Sequence, residues 1–221
     1  MPLISVVSIA KDETELKKLA DALSDQTYKD FEFVGSTKGT IPEAWNDAIS
    51  RAKGEYIVFT ETDARPLNNH WLEEISHHLE RNVVLKGIEI RPTELDMCNL
   101  VADAQIFKQL QFDESFPVAE DTEFFVKLKR YNIPIKEVEA FPIIHKPSVS
   151  WKKTMSRAFT YGMMFSKIIY LNGTESFEPV LTTKTMHPVS NRIRIIVDNM
   201  LVLLGLMSGG IYYFFSLKLK R

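Results

Sequence analysis

Glu61 and Asp63 stand one residue apart where an apolar run, Tyr56 to Phe59, gives out in the stretch GEYIVFTETDARP. Acids at i and i+2 project to the same side as long as the extended geometry persists. Hard divalent cations take oxygen ligands, and Mg²⁺ is commonly held by one or two carboxylates, with water and substrate phosphate completing its shell. The pair therefore suits a cation that carries a diphosphate; on spacing alone, a solvated acidic turn competes with that reading. A second acidic focus, Glu120 and Asp121, opens a predicted helix. Two acids there also complement the helix dipole.

The elements that must position these acids follow from periodicity. Residues 3–10, LISVVSIA, form a nearly unbroken β-branched run, the pattern of a strand covered on both faces. Further strands are predicted at 31–36, 55–60 and 82–90, and helices at 12–25, 40–54 and 68–81. For the helix at 40–54, Thr40 is the N-cap, Pro42 lies in the first turn and Gly54 marks the end. Strand and helix in alternation imply an α/β sheet, mostly parallel, with ligands beyond the carboxyl ends of its strands. Glu61 and Asp63 lie just past one such end. Farther on, 119–132 reads as a helix, 133–145 as one or two short strands, and 150–173 as a helix mixing basic and aromatic residues.

The chain has 221 residues, 45% hydrophobic and 25% charged, with a net charge of -2, which disfavours a nucleic-acid binder reliant on a basic surface. Cys98 is the sole cysteine, so an intrachain disulfide and a multi-thiolate zinc site are excluded; it reads as a packed thiol. The N-terminus shows no signal-peptide pattern. Residues 200–217 carry no charge, and extending back to 195 adds only Asp198. As a helix, 195–217 spans roughly 34 Å, against about 30 Å for a bilayer core. Arg192 and Arg194 flank one side, and Lys218, Lys220 and Arg221 the other. Membrane association is expected, as a span, an interfacial helix or a re-entrant segment bent at Gly205, Gly209 or Gly210; a buried core helix is the competing reading.

Four stretches, in order, resemble the family 2 glycosyltransferases of GT-A fold: ISVVSIAKDE, EAWNDAISRAKGEYIVFTETDARP, CNLVADAQIFKQLQFDESFPVAEDTEFFVKLKRYNIPI and AFPIIHKPSVSWKKTMSRAFTYG. Together they cover roughly residues 3–165. The resemblance implies a Rossmann-like, mostly parallel central sheet flanked by helices, and inverting transfer of a sugar from a nucleotide diphosphate with Mg²⁺ or Mn²⁺. It puts Asp63 on the metal and diphosphate, with Glu61 as a variant first acid. It makes Asp121 the general base, with Glu120 orienting the acceptor or Asp121. Ala10, Lys11 and Glu13 fall at the nucleotide-facing end of the first strand, and Asn46 matches a helix asparagine near the nucleotide. His145 occupies the place of a histidine that in some such enzymes approaches the metal; a structural histidine is the alternative. The chain departs from the family at Gly35 and Ser36, where an aspartate commonly reads the base, and at Trp45, where arginine is frequent.

The expected organisation is a transferase domain at 1–150, with a nucleotide half at 1–92 and an acceptor half at 93–150. A helical region at 151–221 follows, with a membrane-associating segment at about 195–217. Trp151 and Arg157 line an acceptor or phosphate site, or serve packing and solvation. The expected protein is membrane-associated, faces the cytoplasm, acts on a lipid-linked or glycan acceptor, and is a monomer or a homo-oligomer. Two alternatives stand beside it. One is a nucleotidyltransferase, although SIAKDETE lacks the Gly-rich loop with a lysine that such enzymes place after the first strand. The other is a non-catalytic, nucleotide-binding membrane subunit.

Overall fold

The structure, a computed structural model, describes residues 2–90, 97–145 and 151–173, together with 204, 205 and 207–209; side chains of 151–158 lie outside this set. Strand β1 (Ile4–Ile9) is buried almost throughout, as its unbroken apolar run requires. Helix α1 (Glu13–Leu23) starts where the Asp12 carboxylate accepts from the Thr14 and Glu15 N–H groups, and it buries Leu16, Leu19 and Leu23. Strand β2 (Phe31–Ser36) follows, then α2 (Ile41–Arg51), with Pro42 in its first turn and the Glu43 carboxylate reaching back to the Thr40 N–H at 2.6 Å. Next come β3 (Tyr56–Phe59), β4 (Ala64–Pro66), α3 (Trp71–His78) and β5 (Val84–Ile90). The remaining elements are β6 (Leu100–Asp103), α4 (Ala104–Leu110), α5 (Glu120–Arg130), β7 (Ile135–His145) and α6 (Trp151–Asn172).

The strands form one sheet in the order β2-β1-β3-β6-β5-β7-β4. β1 pairs in parallel with β2 and β3, and β5 with β7, whereas β6 is antiparallel to both β3 and β5, and β4 to β7. The expected mostly parallel sheet is therefore mixed: β1, β2, β3, β5 and β7 share one direction, and β6 and β4 oppose it. Chain length gives the reason. A parallel neighbour needs a crossover of about a dozen residues or more, and only 91–99 separate β5 from β6. The two halves anticipated within 1–150 share this sheet, because β6 and β7 insert beside strands of the first half.

Helices cover both faces. On one, α2, α4 and α5 bury Trp45, Ile49, Phe107, Phe124 and Leu128 against Phe59. Phe59 meets Trp45 edge-on at 5.0 Å and Phe107 at 4.5 Å, and Phe112 stacks on Phe124 at 4.8 Å. Each such ring pair contributes roughly 0.5–1.5 kcal/mol beyond area burial. On the other face, α1 and α3 bury Leu19, Leu23, Trp71, Leu72 and Ile75, with Cys98 packed among them as a buried thiol.

Some elements differ from their sequence patterns. α2 ends at Arg51, and Gly54 serves packing instead: a Cβ there would stand 2.5 Å from the Ser5 nitrogen. α3 is shorter than 68–81 because Asn68 turns the chain before it, accepting from the His70 N–H, and Arg81 is drawn into ion pairs with Asp103 and Glu55. β4, β6 and α4 are too short for periodicity to reveal. No helix among the described residues is long and apolar enough to cross a membrane. The expected segment 195–217 falls outside those residues except for 204, 205 and 207–209. Its described helical part packs on α6, where a Cβ on Gly205 would meet the Phe159 carbonyl oxygen at 2.1 Å and one on Gly209 the Ser166 Cβ at 2.7 Å.

One packing detail reaches the functional residues. Gly87 leaves room for the Asn99 amide and the Phe141 ring, which an added Cβ would approach to 2.2 and 2.4 Å. Asn99 is fully buried, donating to the Phe141 carbonyl at 2.9 Å and accepting from the Trp71 indole N–H at 3.1 Å. Just after Gly87 the register slips: Gly87 pairs with Val138, but Glu89 pairs with Ile143. Gly87→Ala should therefore lower unfolding free energy by about 1–3 kcal/mol through overpacking, read from urea denaturation; an unchanged midpoint would contradict this packing.

Candidate metal centre

β3 ends at Phe59, and Thr60 keeps one more ladder bond, its N–H donating to the Val7 carbonyl at 3.1 Å. The chain then turns. The Ala64 N–H closes the turn on the Glu61 carbonyl at 3.1 Å, and the Arg65 guanidinium donates to the Thr62 and Ala64 carbonyls at 2.7 and 2.6 Å. Arg65 thus stiffens the loop that carries both acids. β4 next pairs with the end of β7, Ala64 lying opposite His145. That register brings the imidazole beside Asp63.

His145 Nε2 lies 3.3 Å from Glu61 Oε2 and 3.3 Å from Asp63 Oδ1. On the other side of the ring, Nδ1 lies 2.9 Å from Glu89 Oε2. The imidazole and Glu89 are buried, whereas the Glu61 and Asp63 side chains each remain 37% exposed. Glu89 also meets the Lys86 ammonium, which donates to the Cys98 carbonyl at 2.5 Å. Burial alone would pull the imidazole toward neutrality; the carboxylates of Asp63, Glu61 and Glu89 outweigh it and push its pKa up to about 12. The imidazolium supplies positive charge where three acids converge.

The same place suits a divalent cation. Glu61, Asp63 and His145 offer ligand atoms all within 4.8 Å of one another. Two carboxylate oxygens and one imidazole nitrogen are donors of the kind that Mn²⁺ or Mg²⁺ can take, and the two acids are partly exposed to solvent.

The remaining sequence candidates distribute as follows. Ala10, Lys11 and Glu13 lie at the carboxyl end of β1, on the same rim as Glu61 and Asp63, because β1 and β3 are parallel neighbours. The Ala10 N–H donates to the Ser36 carbonyl at 3.1 Å, and Glu13 accepts from the Thr37 hydroxyl at 3.2 Å. Asn46 faces the loop before α5: its amide donates to the Phe112 carbonyl at 2.9 Å and to Glu114 at 3.1 Å, and its oxygen accepts from the Phe112 N–H at 2.8 Å. At Ser36, where the resembled family commonly carries an aspartate, the hydroxyl donates to Asp47 at 2.8 Å. Hydrogen bonds from Arg51 and then Ser36 hold Asp47 below the usual carboxylate range. Trp45, at the frequent arginine position, is buried in the core.

Glu120 and Asp121 are the first residues of α5, after Ala119 in a left-handed conformation at φ 61°, and the Asp121 carboxylate accepts from the Thr122 N–H at 2.6 Å. They stand on a different element from the Glu61–Asp63–His145 cluster. Trp151 and Arg157 fall in the first part of α6, where side chains lie outside the described residues.

Sequence reasoning missed Glu89. Its signal was there, an acid in the apolar run VLKGIEI, but alternation assigns the two isoleucines to the core and the acid to solvent. The structure does the reverse, with Ile88 39% and Ile90 41% exposed and Glu89 6%.

No protein-family model and no curated protein matches the chain. Solved structures do. The mannosyltransferase PcManGT from Pyrobaculum calidifontis, in complex with GDP-Man and Mn²⁺, superposes with a TM-score of 0.65 at 13% identity, over 99% of this chain and 79% of that one. S. aureus TarS gives 0.53 at 13% identity, over 89% of this chain and 47% of that one. Its 1-349 fragment gives 0.51 at 15% identity, over 93% and 81%. At such identities the likeness speaks for the fold, which is that of these glycosyltransferases.

The imidazolium also sets a pH dependence. Folding raises the His145 pKa from 6.5 to about 12, so the folded state binds the extra proton between those values. The associated stability is present in full below the unfolded value and is lost as pH rises toward the folded one. Metal-free protein should therefore melt at progressively lower temperature from pH 7 to pH 9, and His145→Gln should flatten that slope; equal slopes in calorimetry would contradict the buried imidazolium.

Proposed function

We propose that this chain is a metal-assisted, inverting glycosyltransferase of family 2 type, taking a sugar from a nucleotide-diphosphate donor. The observation that carries this reading is the Glu61–Asp63–His145 cluster, at the rim of a sheet whose fold is shared with PcManGT, itself solved with GDP-Man and Mn²⁺. Glu61 and Asp63 would hold the cation through their carboxylates and His145 through Nε2. When bound, Mg²⁺ or Mn²⁺ supplies positive charge that offsets the charge on a departing diphosphate.

The chain's own groups do the rest. Ala10, Lys11 and Glu13 border the nucleotide along the carboxyl end of β1. Asp121 takes the proton from the acceptor hydroxyl as its oxygen bonds to the anomeric carbon and the bond from that carbon to the diphosphate breaks. Glu120 orients the acceptor or Asp121. Attack from the face opposite the leaving group inverts the anomeric centre. Asn46 acts from one step back, holding the 112–114 loop that leads into α5.

The acceptor is proposed to be lipid-linked, with the catalytic face toward the cytoplasmic side of a membrane. What supports this is apolar surface: Phe159, Tyr170, Leu171, Leu204 and Met207 are 37–66% exposed along α6 and the helical residues packed on it. Exposed aromatic and aliphatic side chains of this kind favour an interfacial position.

A nucleotide-sugar panel with and without Mn²⁺ tests the activity. Asp63→Ala should abolish metal-dependent donor binding, whereas Asp121→Asn should keep binding and lose about 10²–10⁴-fold in turnover. Donor affinity that ignores metal in both wild type and Asp63→Ala would refute the assignment. Leu204→Asp with Met207→Asp should release the protein from anionic lipid vesicles in a flotation assay; undiminished flotation would remove the membrane from the scheme.

A further inference from the structure

We propose that Glu89 is the positioning residue of the metal centre: it holds the Nδ1 proton of His145 and thereby turns Nε2, as a lone-pair donor, toward Glu61 and Asp63. The inference rests on the metal-centre reading above and names a residue outside the cluster that faces solvent.

A neutral imidazole carries one proton, and which nitrogen carries it decides which can ligate. An ionised carboxylate only accepts hydrogen bonds. With Glu89 Oε2 2.9 Å from Nδ1, the proton that the ring keeps when a cation displaces the other is the one on Nδ1, and Nε2, 3.3 Å from an oxygen of Glu61 and of Asp63, is the nitrogen left to ligate. Glu89 is suited to this task because it is 2% exposed at its side chain and cannot exchange His145 for water. The Lys86 ammonium, on the same strand, compensates its charge, and Lys86 is itself fixed on the Cys98 carbonyl. A buried carboxylate stays charged only with such a partner. The half-buried Lys86 and the buried Glu89 and His145 thus form a row behind the two exposed acids, and such supporting partners fix ring orientation and raise ligand basicity. A nitrogen donor in the set also favours Mn²⁺ and similar transition ions over Mg²⁺.

Glu89, Cys98 and His145 also converge within 4.8 Å, which raises the rival arrangement of a thiolate-bound ion in the interior. The Glu89 hydrogen bond already occupies Nδ1, and the Lys86 ammonium already balances the carboxylate, so a cation there would have to displace both. The geometry favours the supporting role.

Mn²⁺ binding to the full chain, read by electron paramagnetic resonance without donor or acceptor, tests the proposal. Glu89→Gln keeps the shape but can offer an N–H to Nδ1, which places the ring proton on Nε2 and closes the ligand. Mn²⁺ affinity should fall about 10–100-fold, and the preference for Mn²⁺ over Mg²⁺ should shrink. In a His145→Asn background, Glu89→Gln should have no further effect, since its action runs through the imidazole. If Glu89→Gln folds poorly, Lys86→Met with Glu89→Gln removes both charges of the pair and should show the same loss. Unchanged affinity in either variant, or an equal loss with and without His145, would overturn the positioning role. A thiolate-to-metal charge-transfer band on Co²⁺ addition that vanishes in Cys98→Ser would overturn it in favour of the interior site. Wild type that binds no Mn²⁺, or binds it equally after Asp63→Ala, would instead sink the metal centre itself, an outcome distinguishable from loss of the Glu89 role alone.

Discussion

A buried imidazole with carboxylates at both of its nitrogens is the constraint around which this rim is organised. Acids at such separations repel one another in a low-dielectric setting, and either a proton on the ring or a cation in front of it must balance them. The same carboxylates that raise the imidazole pKa are the groups a divalent ion would meet there. Lys86 settles the account behind the ring, so the open side is where charge balance is decided.

That arrangement depends on strands sharing a direction. β1, β2, β3, β5 and β7 all end at one rim although β6 opposes them. Reversing β6 lets a short return follow β5 while the carboxyl ends of the five like-directed strands stay together. β7 then runs long enough, Ile135–His145, to pair with β5 along its length and with the three-residue β4 at its tip. The loop bearing Glu61 and Asp63 is tied at both ends, by the Thr60 ladder bond and by β4, and stiffened between by Arg65. Little backbone freedom is left to lose when a ligand binds.

The second face contributes differently. The ring cluster Trp45–Phe59–Phe107–Phe112–Phe124 joins α2, α4 and α5 through the middle of the sheet, and Asn46 fixes the chain entering α5. Glu120 and Asp121 therefore sit on a helix held by rigid packing. The fold shared with PcManGT and TarS persists at 13–15% identity, as expected when volume and patterning of the core matter more than individual side chains.

The sequence alone determined what local periodicity can encode: the buried β1, the amphipathic α1, α2 with Thr40 at its start, and acids placed just beyond a strand end. It also offered His145 as a metal neighbour through family likeness, without saying what held it. Only the tertiary structure decided that Glu89 faces inward while Ile88 and Ile90 face out, that β4 and β6 exist, and that the register slips between Gly87 and Glu89. The physical reason is range. Alternation reports on the two faces of one strand, but which face is core depends on a partner strand; Glu89 and His145 are 56 residues apart, and no local pattern carries the pairing that joins them.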